Sequence, residues 1–303
     1  KHLAPATACW SVPEVIEDDQ TYLSFIFGYA LLPNYAVNFF DYFDTGVFPE
    51  YHQYGAFLFP RYLTEQVEDW RLIRDSWREN NSENDPLAAL QKLLERKGHD
   101  FDEIFSNFAA HNALWDYQDG ETYRYYTDYY AGQFAQWDCR VSDDLPRSGD
   151  SEWRTANPDC LPQRYAYNIV RLKRPRKGHL RLEFDGDAVG SRSTASEWRL
   201  QWAMDSGASR AYLPIEMDGL ESGDVICDVQ QYDEVNLVVS NHGAVFRDNE
   251  VFDYRVKMDV VSEDAQCDDI EEDTGERPPD EDTASSGGGG SNLGGFEDPS
   301  IEG

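Results

Sequence analysis

The spacing of the hydrophobic residues differs between the first and the second half of the chain. Up to about residue 135, apolar residues recur every three or four positions, as Leu87, Leu90 and Leu94 do, which predicts amphipathic helices. From about Pro162, apolar and polar residues alternate, as in residues 179–184, which predicts short strands separated by Gly, Asp and Asn. The pattern therefore predicts an α+β protein, in which a helical part precedes an Ig-like antiparallel β-sandwich.

Local signals place two of the helix boundaries. Asp85 is a suitable N-cap, Pro86 occupies the first helical position, and Gly98 is a typical stop. The next helix begins after Asp100, with Glu103 three residues further on, as in a variant of the capping box. We expect two consecutive helices here, joined by a short turn.

Aromatic side chains are dense in the helical part. Trp70, Ile73 and Trp77 recur at helical spacing, which predicts that their side chains face the core. The tyrosines of residues 123–130 allow two interpretations. They pack between helices, or they form a surface for peptides or sugars.

Changes in composition divide the chain into four segments. We predict a helical subdomain over residues 1–138, a linker over 139–162, a β-sandwich over 163–262 and a tail over 263–303. The helical part and the sandwich are expected to have separate cores. The tail is acidic, rich in Pro and Gly and nearly free of apolar residues, which predicts disorder.

The charge of the chain excludes some partners. It has 58 acidic and 26 basic residues, a formal net charge of -32. Nucleic acid is therefore not an expected partner, because phosphate binding needs basic patches. No apolar run is long enough to cross a membrane. These observations are compatible with an extracellular protein or peptide as partner, and the oligomeric state is left open.

The cysteines suggest a disulfide rather than a metal site. None of the five forms a Cys-x-x-Cys pair, so a structural zinc site is not expected. Cys139 and Cys160 flank the polar segment between the helical and the alternating parts. If the protein is exported, we expect a disulfide between them.

Two segments carry a resemblance to a known family. Residues 4–10 read Ala-Pro-Ala-Thr-Ala-Cys-Trp, and residues 51–59 read Tyr-His-Gln-Tyr-Gly-Ala-Phe-Leu-Phe. In this order and spacing they resemble secreted gluzincin-type zinc metallopeptidases of myxobacteria and their relatives, whose first segment reads roughly Asn-Glu-Ala-Thr-Ala-x-Trp. The resemblance covers roughly residues 3–262. It implies the C-terminal part of a peptidase domain followed by a β-sandwich, and a secreted or cell-surface protein.

The metal ligands of that family are missing from this sequence. Pro5 stands where the family has its Glu ligand, and no His-Glu-x-x-His occurs. No cofactor is therefore expected, and zinc would require a motif upstream of Lys1. Asp185, Gly186 and Asp187 predict a β-turn, because a calcium loop would need further oxygen ligands.

The resemblance also indicates one candidate catalytic position. Gluzincin aminopeptidases carry a Tyr three residues before a Gly, and this Tyr stabilises the tetrahedral intermediate. Here His52 lies three residues before Gly55, with Tyr51 beside it, and either side chain can donate to an oxyanion. The alternative is an ordinary helix start that faces a cleft.

Three functions are compatible with these observations. The first is a secreted metallopeptidase-like protein that is not catalytic as this chain stands and acts in extracellular binding. The second is the C-terminal part of an active secreted zinc metalloendopeptidase, whose His-Glu-x-x-His helix lies upstream. The third is an extracellular adhesion or scaffold module. Pro5 argues against the second, because it would leave the zinc one ligand short, so we favour a pseudoenzyme.

Overall fold

Helices cover one face of a five-stranded sheet, and the other face of that sheet packs against a four-stranded sheet. The computed structural model describes residues 4–16, 19–39, 47–67, 69–79, 86–186, 196–243 and 250–262. Helices precede strands along the chain, so the predicted α+β class is confirmed.

The helical layer is formed by residues before the first strand. Its α-helices are α1 (Ala4–Val15), α2 (Ile26–Ala30), α3 (Val47–Gly55), α4 (Leu58–Gln66), α5 (Arg71–Glu79), α6 (Pro86–Arg96), α7 (Phe101–Leu114) and α8 (Gly120–Gln133). In the part of the chain that the structure describes, no helix has both the length and the apolar character needed to cross a membrane.

Helix α7 begins and α6 ends where the sequence predicts. The Asp100 carboxylate accepts a hydrogen bond from the Asp102 backbone N–H at 2.8 Å, so Asp100 is the N-cap. Gly98 follows α6 with a φ of +87°, a conformation that is strained for any residue with a side chain. Asp85, the predicted N-cap of α6, lies outside the described residues.

The strands form two sheets. They are β1 (Asp143–Leu145), β2 (Gly149–Thr155), β3 (Ala166–Lys173), β4 (His179–Asp185), β5 (Trp198–Asp205), β6 (Arg210–Ile215), β7 (Glu221–Ile226), β8 (Glu234–Asn241) and β9 (Arg255–Val261). The strand order is β1-β3-β8-β5-β6 in one sheet and β2-β9-β4-β7 in the other. All neighbours pair antiparallel except β1 and β3, which are parallel.

The five-stranded sheet has two buried faces, which corrects the prediction of separate cores. Val170 and Leu172 of β3 face the four-stranded sheet and belong to the core between the sheets. Tyr167 and Ile169, at the alternate positions, belong to the core of the helical layer. The helices therefore complete their core against the sheet instead of enclosing it among themselves.

The predicted linker is part of the sheets, which corrects the proposed boundaries. Residues 139–162 contain β1, which pairs with β3, and β2, which pairs with β9. The disulfide that the sequence suggested within this segment is present, and the Cα atoms of Cys139 and Cys160 lie 5.5 Å apart. Both strands are short or charged, so their alternation is too weak to distinguish them from a polar loop. The predicted tail over residues 263–303 lies outside the described residues.

Two glycines allow α2 and α3 to pack closely. A methyl group on Gly28 of α2 would collide with the backbone of Tyr51 in α3. A methyl group on Gly55 of α3 would lie 2.6 Å from both the Phe25 carbonyl oxygen and the Tyr29 nitrogen. Each helix therefore needs a residue without Cβ where it crosses the other.

We expect Gly28→Ala to lower the free energy of unfolding by about 2 kcal/mol, because overpacking against backbone atoms forces the helices apart. Gly132→Ala is the matched control. Gly132 also lies in a helix, and its Cβ would meet no atom within 4 Å, so the same change should stabilise the protein by about 0.5 kcal/mol. Urea unfolding of both variants gives the comparison. Equal effects of the two substitutions would contradict the close crossing.

Candidate functional site

His52 lies inside the helical layer and does not face a cleft. Its side chain is 0 % exposed, and the rings of Tyr29, Tyr35 and Phe39 surround it at centroid distances of 5.0, 6.0 and 5.7 Å. Burial lowers the pKa of His52 to about 3, although the nearby carbonyl groups of Leu32 and Phe39 act in the opposite direction. His52 is therefore neutral at physiological pH and is closed to a substrate, so the predicted role as an oxyanion donor does not fit this position.

Tyr51 belongs to a separate aromatic cluster on the other side of α3. Its ring lies 5.7 Å from that of Phe25 and 5.5 Å from that of Phe27. The two candidate residues thus point into different surroundings, although they are adjacent in sequence. Neither is placed beside a group of potential metal ligands, and the described residues contain no cluster of three or more His, Cys, Asp or Glu that could hold a metal ion.

Asp185 does not have a free carboxylate for calcium. It lies at the end of β4, and Arg255 donates to it from the neighbouring strand at 2.6 and 2.8 Å. Asp187, the other acidic residue of the predicted turn, lies outside the described residues. The ion pair between strands accounts for Asp185 without a cation.

The structure brings together Ser240, His242 and Asp102, a combination that the sequence analysis did not recognise. The Ser240 Oγ lies 2.9 Å from His242 Nε2, and His242 Nδ1 lies 3.1 Å from Asp102 Oδ1. A hydroxyl, an imidazole and a carboxylate in this order activate the nucleophile of serine hydrolases. Whether this group can be catalytic depends on whether a substrate can reach the Ser240 hydroxyl.

Burial argues against catalysis by this group. Ser240 is 0 % and His242 is 2 % exposed, and the Ser240 hydroxyl also lies 3.1 Å from the carbonyl oxygen of Arg199. Burial lowers the pKa of His242, despite the Asp102 carboxylate, which acts in the opposite direction. Asp102 also accepts a hydrogen bond from the Tyr165 hydroxyl at 3.0 Å. The network therefore joins the start of α7 to the end of β8, and we assign it a structural role.

An open groove of about 520 Å³ lies between α8 and β3. This volume falls in the usual range of ligand sites, about 300–1,000 Å³. Apolar residues from the helical layer and from β3 contribute to the lining of this groove, and we call them its floor; they include Ala30, Pro33, Leu58, Ala113 and Ile169. Tyr167 and Asn112 add polar atoms to the floor, and both residues are buried. The lining therefore combines apolar and polar groups, and the polar groups make up the larger part of its exposed surface.

Charged residues form the rim of this groove, and several of them are paired. Arg171 donates to both carboxylate oxygens of Asp144, at 2.6 and 2.7 Å. This contact is the main reason that the pKa of Asp144 is lowered. Arg140 donates to Asp138 at 2.8 Å and to Asp128 at 2.5 Å. These pairs fix the shape of the rim and leave little net charge on it.

Two cations of the rim remain available to a ligand. Arg124 of α8 donates only to the Leu114 carbonyl oxygen, at 3.0 Å, among the described residues. Lys173 at the end of β3 is exposed and forms no ion pair within 4 Å with any described residue, although its charge contributes to the lowered pKa of Asp144. Glu234 lies opposite Lys173 in the sheet register, and its carboxylate accepts from Asn236 at 3.0 Å. The rim thus offers two cationic groups that a ligand carboxylate can contact.

Sequence patterns contained weak signals for both arrangements. Ser240 and His242 are two residues apart at the end of a strand, so their side chains face the same side. The residues of β3 on the groove side change from Tyr167 and Ile169 to Arg171 and Lys173, which marks the transition from the core to the rim. Neither signal identifies the distant partners.

The sequence matches a protein family described as a family of unknown function, DUF6055, over residues 33–251, which is more than half of the chain. No curated protein matches the sequence. The matched range includes most of the helical layer and strands of both sheets. The family description names no activity, so the resemblance to gluzincin peptidases stays a prediction.

Proposed function

We propose a function for this chain, which belongs to the DUF6055 family: it is a secreted or cell-surface protein that binds, without cutting, a peptide segment of another protein in the groove between α8 and β3. The observation that carries the proposal is a groove with apolar residues in its lining and with two cations, Arg124 and Lys173, that form no ion pair with a described residue. Such a site favours an extended peptide that presents one apolar side chain and one carboxylate.

The geometry of the groove supports a peptide over a compact small molecule. The cations of the groove come from different elements, Arg124 from α8 and Lys173 from β3, so two separated groups of one ligand can contact them. The lining residues include four cations and four carboxylates, so the groove does not share the large negative charge of the chain. An acidic peptide can therefore approach it, because only nearby charges act strongly at physiological salt, where the Debye length is about 8 Å.

The disulfides support an extracellular location for the protein. Cys139 is bonded to Cys160, and Cys227 is also disulfide-bonded. Such bonds persist in oxidising compartments and are rare in the cytosol. The free Cys9 is buried, and burial raises the pKa of its thiol to about 11, so it does not exchange readily with these disulfides.

We expect Arg124→Ala and Lys173→Ala each to weaken peptide binding about tenfold, because each removes a charge-assisted hydrogen bond worth about 1.5 kcal/mol. The probe is a fluorescein-labelled pool of random octapeptides with free C-terminal carboxylates, measured by fluorescence anisotropy. An amidated pool tests the carboxylate. Lys97→Ala is the control, since Lys97 lies in the turn after α6 and pairs with Asp69.

Two results would overturn the proposal. One is equal binding by the wild type and both groove variants, and the other is no binding of either pool. Mass spectrometry of the peptides after incubation tests the absence of catalysis. Cleavage that phenanthroline blocks, with one zinc bound per chain, would instead support an active zinc peptidase.

A further inference from the structure

The side chain of Asn112 lies in the lining of the groove between α8 and β3 and has an unused hydrogen-bond donor. Asn112 belongs to the last turn of α7 and is 6 % exposed. Its Oδ1 accepts a hydrogen bond from the Tyr117 hydroxyl at 2.7 Å. Its Nδ2 has no hydrogen-bond partner among the described residues. The amide is therefore held through its oxygen, and its nitrogen remains able to donate.

The turn after α7 sets the orientation of this amide. Trp115 ends the helix with a φ of +54°, in the left-handed region, and the chain turns back there. Tyr117, which is also buried, reaches Asn112 five residues earlier in the sequence. The oxygen and the nitrogen of an amide are on different branches of one planar group. A hydroxyl that donates to Oδ1 therefore leaves Nδ2 as the end that a ligand can use.

Tyr167 of β3 is the other polar residue of the floor. It is 3 % exposed, and burial raises the pKa of its hydroxyl, while the nearby side chains of Asn112 and Tyr29 act in the opposite direction. Tyr167 is therefore neutral at physiological pH. It lies close to Asn112, but no hydrogen bond of normal geometry forms to Nδ2. The floor thus presents neutral polar groups, whereas the charged groups lie on the rim.

The unused donor has an energetic cost that a ligand can remove. A buried polar group without a partner costs about 1–3 kcal/mol, and most buried polar groups in folded proteins have a partner. Asn112 lines an open groove, so water or a ligand oxygen can accept its hydrogen bond. A ligand without an acceptor at this place would displace the water and leave Nδ2 unpaired. A site of this kind discriminates strongly against such ligands.

Charge favours a carbonyl oxygen over a carboxylate at the floor. The cations of the rim, Arg124 and Lys173, suit a carboxylate, because hydrogen bonds between opposite charges are the stronger ones. A carboxylate at the floor would be desolvated among neutral side chains, which costs far more than the burial of a carbonyl group. An extended peptide carries a carbonyl oxygen at every residue and can meet both requirements.

We propose that Asn112 donates through Nδ2 to a backbone carbonyl oxygen of the bound peptide and is a specificity-determining residue of the groove. This inference rests on the peptide binding proposed above. Tyr117 does not contact the ligand in this arrangement and acts through Asn112 as a positioning residue. The groove then requires three features of its ligand: an apolar group, a carboxylate at the rim and a carbonyl oxygen at the floor.

Fluorescence anisotropy with the free and the amidated octapeptide pools tests the inference. We expect Asn112→Asp, which keeps the acceptor for Tyr117 but loses the donor, to weaken binding of both pools about tenfold. Asn112→Leu is neutral and should have a similar effect. Asn107→Asp is the matched control and should bind like the wild type. Asn107 lies in the same helix outside the lining, and its Oδ1 accepts from Gln201 at 2.8 Å.

Tyr117→Phe tests the positioning role. Without the hydroxyl, the amide can rotate, so binding should weaken about threefold in the wild-type background. The same substitution should have no further effect on binding in Asn112→Leu, because no amide remains to be oriented. Equal effects of Tyr117→Phe in both backgrounds would show that Tyr117 does not act through Asn112.

The outcomes separate this inference from the proposed function. Wild-type binding by Asn112→Asp and Asn112→Leu, with weakened binding by Arg124→Ala and Lys173→Ala, would overturn the role of Asn112 and leave peptide binding in place. A loss confined to the pool with free carboxylates would overturn the contact with a carbonyl oxygen. A loss that Asn107→Asp reproduces would also contradict the inference. No binding of either pool by the wild type would overturn both proposals.

Discussion

Replacing both Cys139 and Cys160 with alanine is expected to lower the free energy of unfolding by about 3 kcal/mol. The two cysteines are 21 residues apart. Their bond closes this segment into a loop and so lowers the conformational entropy of the unfolded chain. The segment between them contains β1 and β2, which are edge strands of different sheets. The Cys139 backbone N–H also donates to the Leu31 carbonyl oxygen at 2.8 Å, so the disulfide lies where the helical layer meets the sheets.

Urea unfolding of the double variant gives the measurement. Cys9→Ala is the control, since Cys9 is a buried free thiol, and its loss should cost only about 1 kcal/mol without changing any loop. Single substitutions of Cys139 or Cys160 are avoided, because each would leave a reactive thiol. A double variant with the wild-type urea midpoint and slope would show that the cross-link contributes nothing to stability.

Local patterns predicted the helices and strands well, because helix caps and strand alternation depend on residues that are close together in the sequence. Asp100 and Gly98 are examples, since the cap and the stop depend on backbone groups within a few residues. The helical periodicity gave a wrong prediction at Trp70 and Trp77, whose side chains are exposed and do not face the core. A helical stripe shows which residues share a face, but it does not show whether another element covers that face. In α5 the core reaches Leu72 and Ile73 and stops there.

The candidate sites could not be predicted from the sequence, because each combines residues that are far apart along the chain. Asp102 and His242 are joined across the fold, and their sequence separation leaves no periodic signal. The groove between α8 and β3 combines residues from helices, from the segment before β1 and from three strands. The predicted domain boundary passed through that groove. Treating the helical part and the sandwich as separate units therefore concealed a site that exists only where they meet.

The stability of the protein should fall as the pH is lowered from 7 to 4, and His52 alone should account for about 3 kcal/mol of this loss. The pKa of His52 is about 3 in the folded protein and about 6.5 in the unfolded chain. The unfolded chain therefore binds a proton more readily over this range. Protonation of His52 favours unfolding as soon as the pH falls below its pKa in the unfolded chain. The effect grows until the pH reaches its pKa in the folded protein.

His52→Gln isolates this contribution, because the amide has a similar size and does not titrate between pH 4 and pH 7. The variant should be less stable than the wild type at pH 7, yet the difference should shrink or reverse by pH 4. Carboxylates and His242 titrate in both proteins, so their effects cancel in the comparison. His99→Gln, at an exposed position, should follow the wild-type curve. Parallel pH profiles for His52→Gln and the wild type would contradict a neutral, buried His52, and would reopen its assignment to a reacting site.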